Sequence, residues 1–310
     1  MSENSKLCRP WLVAVWPGMG HVAISAGYYL IAKLEMSLLT EFSAAELFDI
    51  EHVEVSGGLL RTGHQPRSRL FVWKDPRQQH DLIVFIGEAQ PPSGRYSFCR
   101  RLMEYARDLG VERVYTFAAM ATQMHPEHES RVFGATTDLD ILGELKRLEL
   151  DLLEDGRISG LNGVLPAAAA ELGIRGTCLL GEMPHIFAQF PFPAASLAVL
   201  KVFTMIADMD LDTAELAEQA RAMKQKLGEI LTQVEQELEE QSSTGNEEKP
   251  AWEPPGEAGL SRADQQHIEQ LFEQAMKDRT TAYLLQRELD RLGVFRLYED
   301  RFLDLFKNPE

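Results

Sequence analysis

Short apolar runs alternate with longer amphipathic stretches through the first two-thirds of this chain. Short apolar runs bounded by turn residues are typical of strands buried on both faces, as in a parallel sheet. The clearest runs lie at residues 11–15, 82–86, 113–118 and 176–180. Apolar residues that recur near the helical period predict helices at residues 20–39, 96–109 and 162–172. Because strands that alternate with helices form βαβ units, we expect an α/β fold with a mainly parallel sheet in a three-layer α/β/α core over residues 1–207.

Beyond residue 207 the strand signals stop, and residues 208–240 predict one long amphipathic helix. Its apolar positions alternate steps of four and three, which is the spacing of a coiled-coil seam. The pattern leaves two interpretations open: the apolar face lies against the chain's own domain, or it forms a helix contact between subunits. In the second case the candidate oligomer contacts are Leu216, Met223, Leu227, Ile230 and Val234.

The composition changes again at residues 241–260, which are rich in Ser, Gly, Glu and Pro and predict a flexible linker. Residues 261–310 predict a C-terminal helical segment. Its last part is strongly apolar and includes Phe295, Phe302 and Phe306. Because monomers rarely leave such patches in water, we expect this segment to dock on a folded surface or on a partner.

Two of the predicted strands run into the same pair of residues, at Gly87-Glu88 and at Gly181-Glu182. Ligands of open α/β sheets bind outside the carboxyl ends of the strands, which is where these glutamates are expected. If the two strands are close neighbours, the carboxylates could share a cleft, and one could act as a general acid with a raised pKa. Alternatively, each carboxylate satisfies backbone amides of its loop or a helix N-terminus.

The turn after the first strand, Gly18-Met19-Gly20-His21, fits the phosphate-binding pattern G-x-G-x-x-A. The acidic residue that would bind a ribose in a dinucleotide site is missing at the expected distance. We therefore interpret the turn as a tight strand-to-helix connection, with an anion site as the main alternative. Asn162 opens a later helix and is predicted to cap it. The candidate ligand or partner site consists of Gly18, Gly20, His21, Gly87, Glu88, Asn162, Gly163, Gly181 and Glu182.

The sequence carries no motif for covalent, metal or nucleotide chemistry. It contains neither the G-x-S-x-G turn of a serine hydrolase nor the Walker loop of a nucleotide hydrolase. His125 and His128 have a spacing that metal ligands use, but no third ligand stands at a recognisable distance. We therefore predict no catalytic residue, no metal and no cofactor.

The chain is acidic, with a formal net charge of −17. Residues 208–310 hold 24 acidic and 12 basic side chains, a charge of −12, which leaves −5 for residues 1–207. An acidic surface repels phosphate backbones, so nucleic acid is not an expected partner. Three widely spaced cysteines, and the lack of any apolar run of about 20 residues, predict a cytoplasmic protein without a membrane span.

Five segments, taken in order, resemble a known family. They are the opening strand and helix at residues 16–23, the Gly-Glu-Ala turn at 87–89, the Gly-x-x-x-Gly-x-x-Gly helix start at 156–165, the Leu-x-x-Glu-x-Pro strand end at 179–184 and the closing helix at 193–200. On these segments the chain resembles the proteasome assembly chaperone family, in the branch named for the second chaperone subunit.

The resemblance implies a core similar to that of purine nucleoside phosphorylases, without established counterparts of their catalytic residues. Eukaryotic members act as non-enzymatic chaperones for proteasome α-subunit rings, and prokaryotic relatives tend to be homo-oligomers. The leading hypothesis is accordingly a non-enzymatic, homo-oligomeric binding or assembly protein, with proteasome-like subunits as partners if the host has them. The alternative is a small-molecule-binding protein or an enzyme with a site at the carboxyl strand ends, around Glu88 and Glu182.

Overall fold

The strands of the protein form a large mixed sheet and a separate hairpin. A computed structural model describes residues 7–48, 53–62, 65–244, 262–292 and 294–307. The strands are β1 (Trp11–Val15), β2 (Ser37–Glu41), β3 (Val53–Ser56), β4 (Leu59–Thr62), β5 (Ser68–Trp73), β6 (Leu82–Gly87), β7 (Arg113–Thr122), β8 (Val132–Thr136), β9 (Asp151–Leu152) and β10 (Arg175–Pro184). The helices are α1 (Val22–Lys33), α2 (Arg95–Asp108), α3 (Leu139–Arg147), α4 (Leu161–Glu171), α5 (Pro193–Ile206), α6 (Ala214–Thr244), α7 (Arg262–Lys277), α8 (Ala282–Arg291) and α9 (Phe295–Asp304). Within the described ranges, no helix combines the length and the apolar character needed to cross a membrane.

The eight-stranded sheet has the order β2-β5-β6-β1-β7-β10-β8-β9. Its four central strands, β6, β1, β7 and β10, are parallel to one another. On either side of this centre, β5 runs antiparallel to β6, and β8 runs antiparallel to β10. The central four are the strands that the apolar runs predict, because strands covered on both faces need apolar residues at successive positions. The predicted α/β class with a mainly parallel sheet is confirmed.

Helices cover both faces of the sheet, and successive residues of each strand alternate between those faces. On β1, Val13 and Val15 belong to the core under α1 and α5, whereas Leu12 and Ala14 belong to the core under α2 and α4. We call these two sides of the sheet the α1 face and the α2 face. The predicted three-layer α/β/α arrangement is therefore present.

β7 and β10 are longer than their apolar runs indicate, and they remain paired up to Thr122 and Pro184. Gly181 and Glu182 consequently lie inside β10 rather than after it, which corrects the predicted strand end. The glycine serves packing instead of a turn. A Cβ at Gly181 would stand 2.7 Å from the carbonyl oxygen of Ala195 in α5, closer than real Cβ atoms approach.

α6 is 31 residues long and packs on α5 through one side. Leu216 and Leu227 are buried in the core of the chain's own domain, and Met223 is half-buried against it. Ile230 and Val234 remain exposed. The first part of the apolar seam thus lies against the chain's own domain, while its last two positions face solvent.

The C-terminal helices dock on the α1 face. α8 packs against α1, and α7 and α9 pack against α8. The rings of Phe302 and Tyr28 meet edge to face with 5.4 Å between centroids, and those of Phe306 and Phe71 with 6.3 Å. The amide of Leu38 in the outermost strand β2 donates to the carbonyl of Phe306 at 2.9 Å. The C-terminal segment therefore covers apolar surface of its own chain and bonds to the outer strand of the sheet.

The predicted linker, residues 241–260, is described only in part. The first residues of this range belong to α6, which continues as far as Thr244. Residues 245–260 lie outside the described residues.

Candidate functional site

The predicted site residues lie at the edge formed by the carboxyl ends of the central strands. They fall into four groups: Gly18, Gly20 and His21 after β1, Gly87 and Glu88 at the end of β6, Asn162 and Gly163 at the start of α4, and Gly181 and Glu182 within β10. β1 leads into α1 on one face of the sheet, and β6 leads into α2 on the other face. Because the chain continues from β1 towards β6 and from β7 towards the opposite side of the sheet, the topological switch point lies between β1 and β7, and open α/β sheets bind ligands at such a point.

The turn after β1 packs against the loop that follows β10. Gly20 has a φ of +60°, a conformation that favours glycine. Its amide donates to the carbonyl of Ala188 at 2.9 Å, and its carbonyl accepts from the amide of Phe192 at 2.9 Å. A Cβ at Gly20 would also stand 2.6 Å from the sulfur of Met183. Both backbone groups of Gly20 are used within the chain, which favours a tight connection over an anion site.

Glu88 is held by the start of β5, on the α1 face. Its Oε2 accepts from the backbone amide of Arg67 at 2.7 Å, and its Oε1 lies 3.3 Å from Nη1 of Arg69. Asp300 of α9 bonds to the same two arginines, and Glu41 of β2 bonds to Arg67. We call Glu41, Arg67, Arg69, Glu88 and Asp300 the Glu88 cluster. The Glu88 cluster ties α9 to the carboxyl edge of the sheet.

The surroundings of the Glu88 cluster hold more acidic groups than its two arginines neutralise. Burial, together with the carboxylates of Glu299 and Asp300, raises the pKa of Glu88 to about 7. Burial also raises the pKa of Asp290 in α8 to about 7. The hydroxyl of Tyr28 donates to Glu299, and burial raises the pKa of this hydroxyl well above its ordinary value. The carboxyl groups of Glu88 and Asp290 therefore stay partly protonated near neutral pH when the C-terminal segment is docked.

Glu182 is a buried carboxylate on the α2 face that pairs with an exposed arginine. Its two carboxylate oxygens accept from Nε and Nη2 of Arg131, both at 2.9 Å. The hydroxyl of Thr122 donates to the same carboxylate at 2.8 Å. The hydrogen bonds from Arg131 lower the pKa of Glu182, so its carboxylate is ionised near neutral pH. Glu182 thereby joins β10 to the end of β7 and to the residue that precedes β8.

The two glutamates do not share a cleft. β1 and β7 lie between their strands, which separates them by about 14 Å at the usual spacing of strands. Glu88 is in step with Ile86 on the α1 face, whereas Glu182 is in step with Leu180 on the α2 face. The hypothesis of a shared acid–base pair is wrong, because even-numbered residues of β6 and of β10 point to opposite faces of the sheet.

The N-cap residue of α4 is Gly160 and not Asn162. Gly160 has a φ of +75°, and the amide of Leu161 donates to Oε1 of Gln90 at 3.1 Å. Asn162 lies within the first turn, where its carbonyl accepts from the hydroxyl of Thr116 at 2.6 Å. The predicted capping role of Asn162 is wrong, since the loop after β6 supplies the capping oxygen through Gln90.

The arginines that hold the two glutamates carry only a weak sequence signal. Arg67 and Arg69 flank Ser68 at the start of β5, and Arg131 directly precedes β8. A charged residue beside an apolar run usually lies in solvent, so its position in the sequence does not indicate an ion pair. Arg69, in contrast, is only 1% exposed.

Metal-ligating clusters and buried cysteines are two further kinds of reactive group to consider in the described residues. In this part of the chain no three His, Cys, Asp or Glu side chains are grouped so that they could hold a metal ion. Burial raises the pKa of Cys99 to about 12 and that of Cys178 to about 11, so both stay thiols near neutral pH. The edge of the sheet therefore offers two closed ion-pair networks and, in Glu88, a carboxyl group that exchanges its proton near neutral pH.

Comparison with known proteins finds relatives among archaea and bacteria. The uncharacterized protein MJ1210 of Methanocaldococcus jannaschii is 27% identical over 222 residues, which cover 71% of this chain and 82% of the relative. The crystal structure of Pyrococcus furiosus PbaB, an archaeal proteasome activator, matches with a TM-score of 0.62 and 24% identity, over 75% of this chain and 96% of PbaB. The structure of Rv2125, a proteasome-assembly chaperone homologue of Mycobacterium tuberculosis, matches with a TM-score of 0.61 and 22% identity, over 70% of this chain and 94% of Rv2125. The two crystal structures share the fold described above.

The sequence profile of the PAC2 family matches residues 12–231. This range runs from β1 into α6, and it contains the eight-stranded sheet except for Trp11, together with every predicted residue of the candidate site. It is well over half of the chain and confirms the resemblance carried by the five sequence segments. The chain belongs to the PAC2 family.

Proposed function

We propose that this protein is a non-enzymatic binding protein that assists the assembly of a protein complex and that acts as a homo-oligomer. The closure of the carboxyl edge of the sheet by the chain's own side chains carries the proposal. Glu88 and Glu182 each face an arginine of the same chain. An α/β enzyme needs polar groups that are open to a substrate at this edge. Here those groups hold the loops and α9 together instead.

We further propose proteasome-like subunits as the partner, in the cytoplasm of a host that has them. The shared fold with a proteasome activator and a proteasome-assembly chaperone homologue supports this partner class. The net charge of −17 favours a partner surface rich in basic residues, because opposite charges steer the encounter of two proteins.

Affinity capture followed by reconstitution tests this function. The tagged protein is used to capture partners from its native host, and mass spectrometry identifies them. We expect the subunits of one multi-subunit complex, released when the salt concentration is raised. The purified subunits are then assembled with and without the protein, and we expect assembly to be faster in its presence. A protein that leaves the assembly rate unchanged and captures only its own copies is not an assembly factor.

The oligomer contacts predicted on α6 divide into two groups. Leu216, Met223 and Leu227 pack within the chain, so changing them would disturb the domain rather than an interface. Ile230 and Val234 are exposed and remain candidates for a contact with another copy. Aspartate at both positions should lower the oligomeric mass in light scattering while the circular dichroism stays unchanged. An unchanged mass would remove α6 from the interface.

A second candidate function is small-molecule binding or catalysis around Glu88. The raised pKa of Glu88, about 7, favours it, because general acids and bases work best near the ambient pH. A thermal-shift screen with nucleosides and amines tests it on the wild type, on Glu88→Gln and on Glu182→Gln. A ligand that stabilises the wild type and Glu182→Gln, but not Glu88→Gln, would support a site at Glu88. If no compound stabilises the wild type, this candidate loses its support.

A further inference from the structure

A short hairpin stands apart from the main sheet. β3 pairs antiparallel with β4 around Gly57-Gly58, and neither strand pairs with the eight-stranded sheet. β2 runs in the same direction as β6 and ends at the carboxyl edge, and β5 starts there, so the segment that contains the hairpin connects these two strands at this edge. Every hairpin residue whose side chain is described is exposed.

One face of the hairpin is apolar. The register places Val55 opposite Leu60 and Val53 opposite Thr62, so these four side chains lie on the same side. Val53, Val55 and Leu60 are 53%, 69% and 72% exposed. We call Val53, Val55, Leu60 and Thr62 the apolar hairpin face. The opposite face carries Leu59 and Arg61.

An uncovered hairpin of this kind is a poor structure in water. A two-stranded hairpin alone is marginally stable, whereas three or more strands with a shared apolar face are stable. Contiguous apolar patches on a protruding element mark interaction sites, unlike single apolar residues scattered over a surface. Among the described residues nothing covers the apolar hairpin face, and two hairpins from different chains would supply four strands.

The lack of net charge on the hairpin favours a second copy of this chain as the partner that covers the apolar hairpin face. Two copies with a net charge of −17 each repel one another over most of their surfaces. Residues 53–62 contain one acidic and one basic residue, Glu54 and Arg61, which the register places directly opposite each other. The hairpin is therefore a neutral, apolar patch on an acidic molecule, where self-contact meets the least repulsion.

We propose that the hairpin is a self-association element in which the apolar hairpin faces of two copies pack on each other across a two-fold axis. A two-fold interface joins one patch to the same patch on the second copy, and an apolar face without net charge is complementary to itself. The inference rests on the proposed homo-oligomeric function and names a surface that carries it. This contact is separate from the exposed positions of α6.

Two neighbouring leucines provide a matched test. Leu60→Glu places a charge on the apolar hairpin face, and Leu59→Glu places the same charge one residue away on the opposite face. Leu59 is 64% exposed, close to the exposure of Leu60, so neither change should disturb the folded domain. By analytical ultracentrifugation, Leu60→Glu should weaken self-association at least tenfold, while Leu59→Glu should change it less than threefold. Equal effects of the two variants would overturn the proposal.

Disulfide trapping gives a second, independent measurement. Of the three free cysteines, Cys99 and Cys178 are buried. The background variant for this experiment therefore changes only Cys8, to serine. The proposed packing has the two-fold axis pass close to Leu60, so in this background Leu60→Cys should yield a covalent dimer on oxidation. Leu59→Cys should yield none, and a dimer formed equally by both would overturn the packing proposed here.

The outcomes separate this inference from the function on which it rests. A wild type that is monomeric at micromolar concentration overturns both the homo-oligomer and the hairpin contact. A wild-type oligomer that persists in Leu60→Glu overturns the hairpin contact alone. Affinity capture of a partner complex is measured separately and decides the assembly function.

Discussion

At the scale of single residues, the two glutamates of the carboxyl edge are fixed in different ionisation states by the same kind of partner. Arg131 gives two hydrogen bonds to Glu182, which therefore stays ionised. Arg69 divides its guanidinium between Glu88 and Asp300 inside a buried and acidic environment, and the pKa of Glu88 rises to about 7. One glutamate should therefore respond to acid and the other to base.

The ion pair of Glu182 predicts a loss of stability in acid. Its lowered pKa means that the pair stabilises the fold above the ordinary pKa of a glutamate and that this contribution is lost as the pH falls through the lowered value. Arg131→Met should lower the free energy of unfolding at pH 7, since it removes two hydrogen bonds from a buried carboxylate. Urea denaturation at pH 7 and at pH 3 measures the difference, which should shrink in acid. Arg157→Met changes an exposed arginine and serves as the control.

At the scale of elements, glycines of the site let neighbouring elements approach each other. Because Gly181 has no side chain, α5 can pack closely on β10. Gly20 likewise allows Met183 to pack closely on the turn after β1. Gly18, two residues before Gly20, has nothing within 4 Å of its Cβ position, and its extended φ of −167° suits any residue. The candidate site thus contains glycines that packing requires and one that it does not.

This contrast predicts opposite outcomes for two alanine substitutions. Gly181→Ala forces a methyl group against the backbone of α5 and should lower the free energy of unfolding by about 2–3 kcal/mol. Gly18→Ala should change it by less than about 0.5 kcal/mol, as is usual for surface positions. Chemical denaturation of both variants measures the effect. Similar stabilities would mean that β10 and α5 are not as close as described.

The docking of α9 is predicted to weaken as the pH rises. Glu88 and Asp290 have raised pKa values of about 7, so the docked segment binds protons that an undocked segment would release above pH 5 or so. The docking free energy should therefore fall as the pH rises through 7. Hydrogen-exchange protection of α9, corrected for intrinsic rates, should be lower at pH 8 than at pH 6. Glu88→Gln cannot ionise and should show a smaller fall; protection that is independent of pH would contradict this account.

At the scale of the whole molecule, charge and apolar surface act against each other. The surface is acidic, and its most acidic part is the C-terminal third, whereas the apolar hairpin face is uncharged. Self-association must overcome repulsion between acidic copies, while a basic partner would be attracted. The two kinds of contact should consequently depend on salt in opposite ways.

Salt titration is the corresponding experiment. Raising the salt concentration from about 0.01 M to about 1 M shortens the Debye length from about 30 Å to about 3 Å and screens both effects. Ultracentrifugation of the protein alone should show stronger self-association at the higher concentration. Binding to a captured basic partner should become weaker over the same range. Self-association that weakens with salt would indicate an interface made of ion pairs rather than the apolar hairpin face.

The predictability of the molecule also depends on scale. Local patterns were sufficient for the four central strands, because their apolar runs reflect burial on both faces. Patterns did not reveal that Glu182 lies inside β10, since pairing with β7 extends the strand past its apolar run. They also could not assign Arg131 or Arg69 to the glutamates, because these partners are distant in sequence or on another strand. The sequence also does not indicate which face of the sheet each glutamate occupies. The hypothesis of a shared cleft could therefore be tested only with the structure.

The bond from Leu38 to the carbonyl of Phe306 has a consequence for how the chain is made. A ribosome releases β2 long before it has synthesised α9, so the outer strand of the nascent sheet meets the cytosol with an unpaired amide and with Phe71 and Tyr28 uncovered. The N-terminal two-thirds can form its layers during translation, yet its flank is completed only after α9 and Phe306 have been synthesised. A translation product that lacks α9 would keep this apolar flank exposed to solvent. Chaperones and proteases would bind such exposed apolar surface.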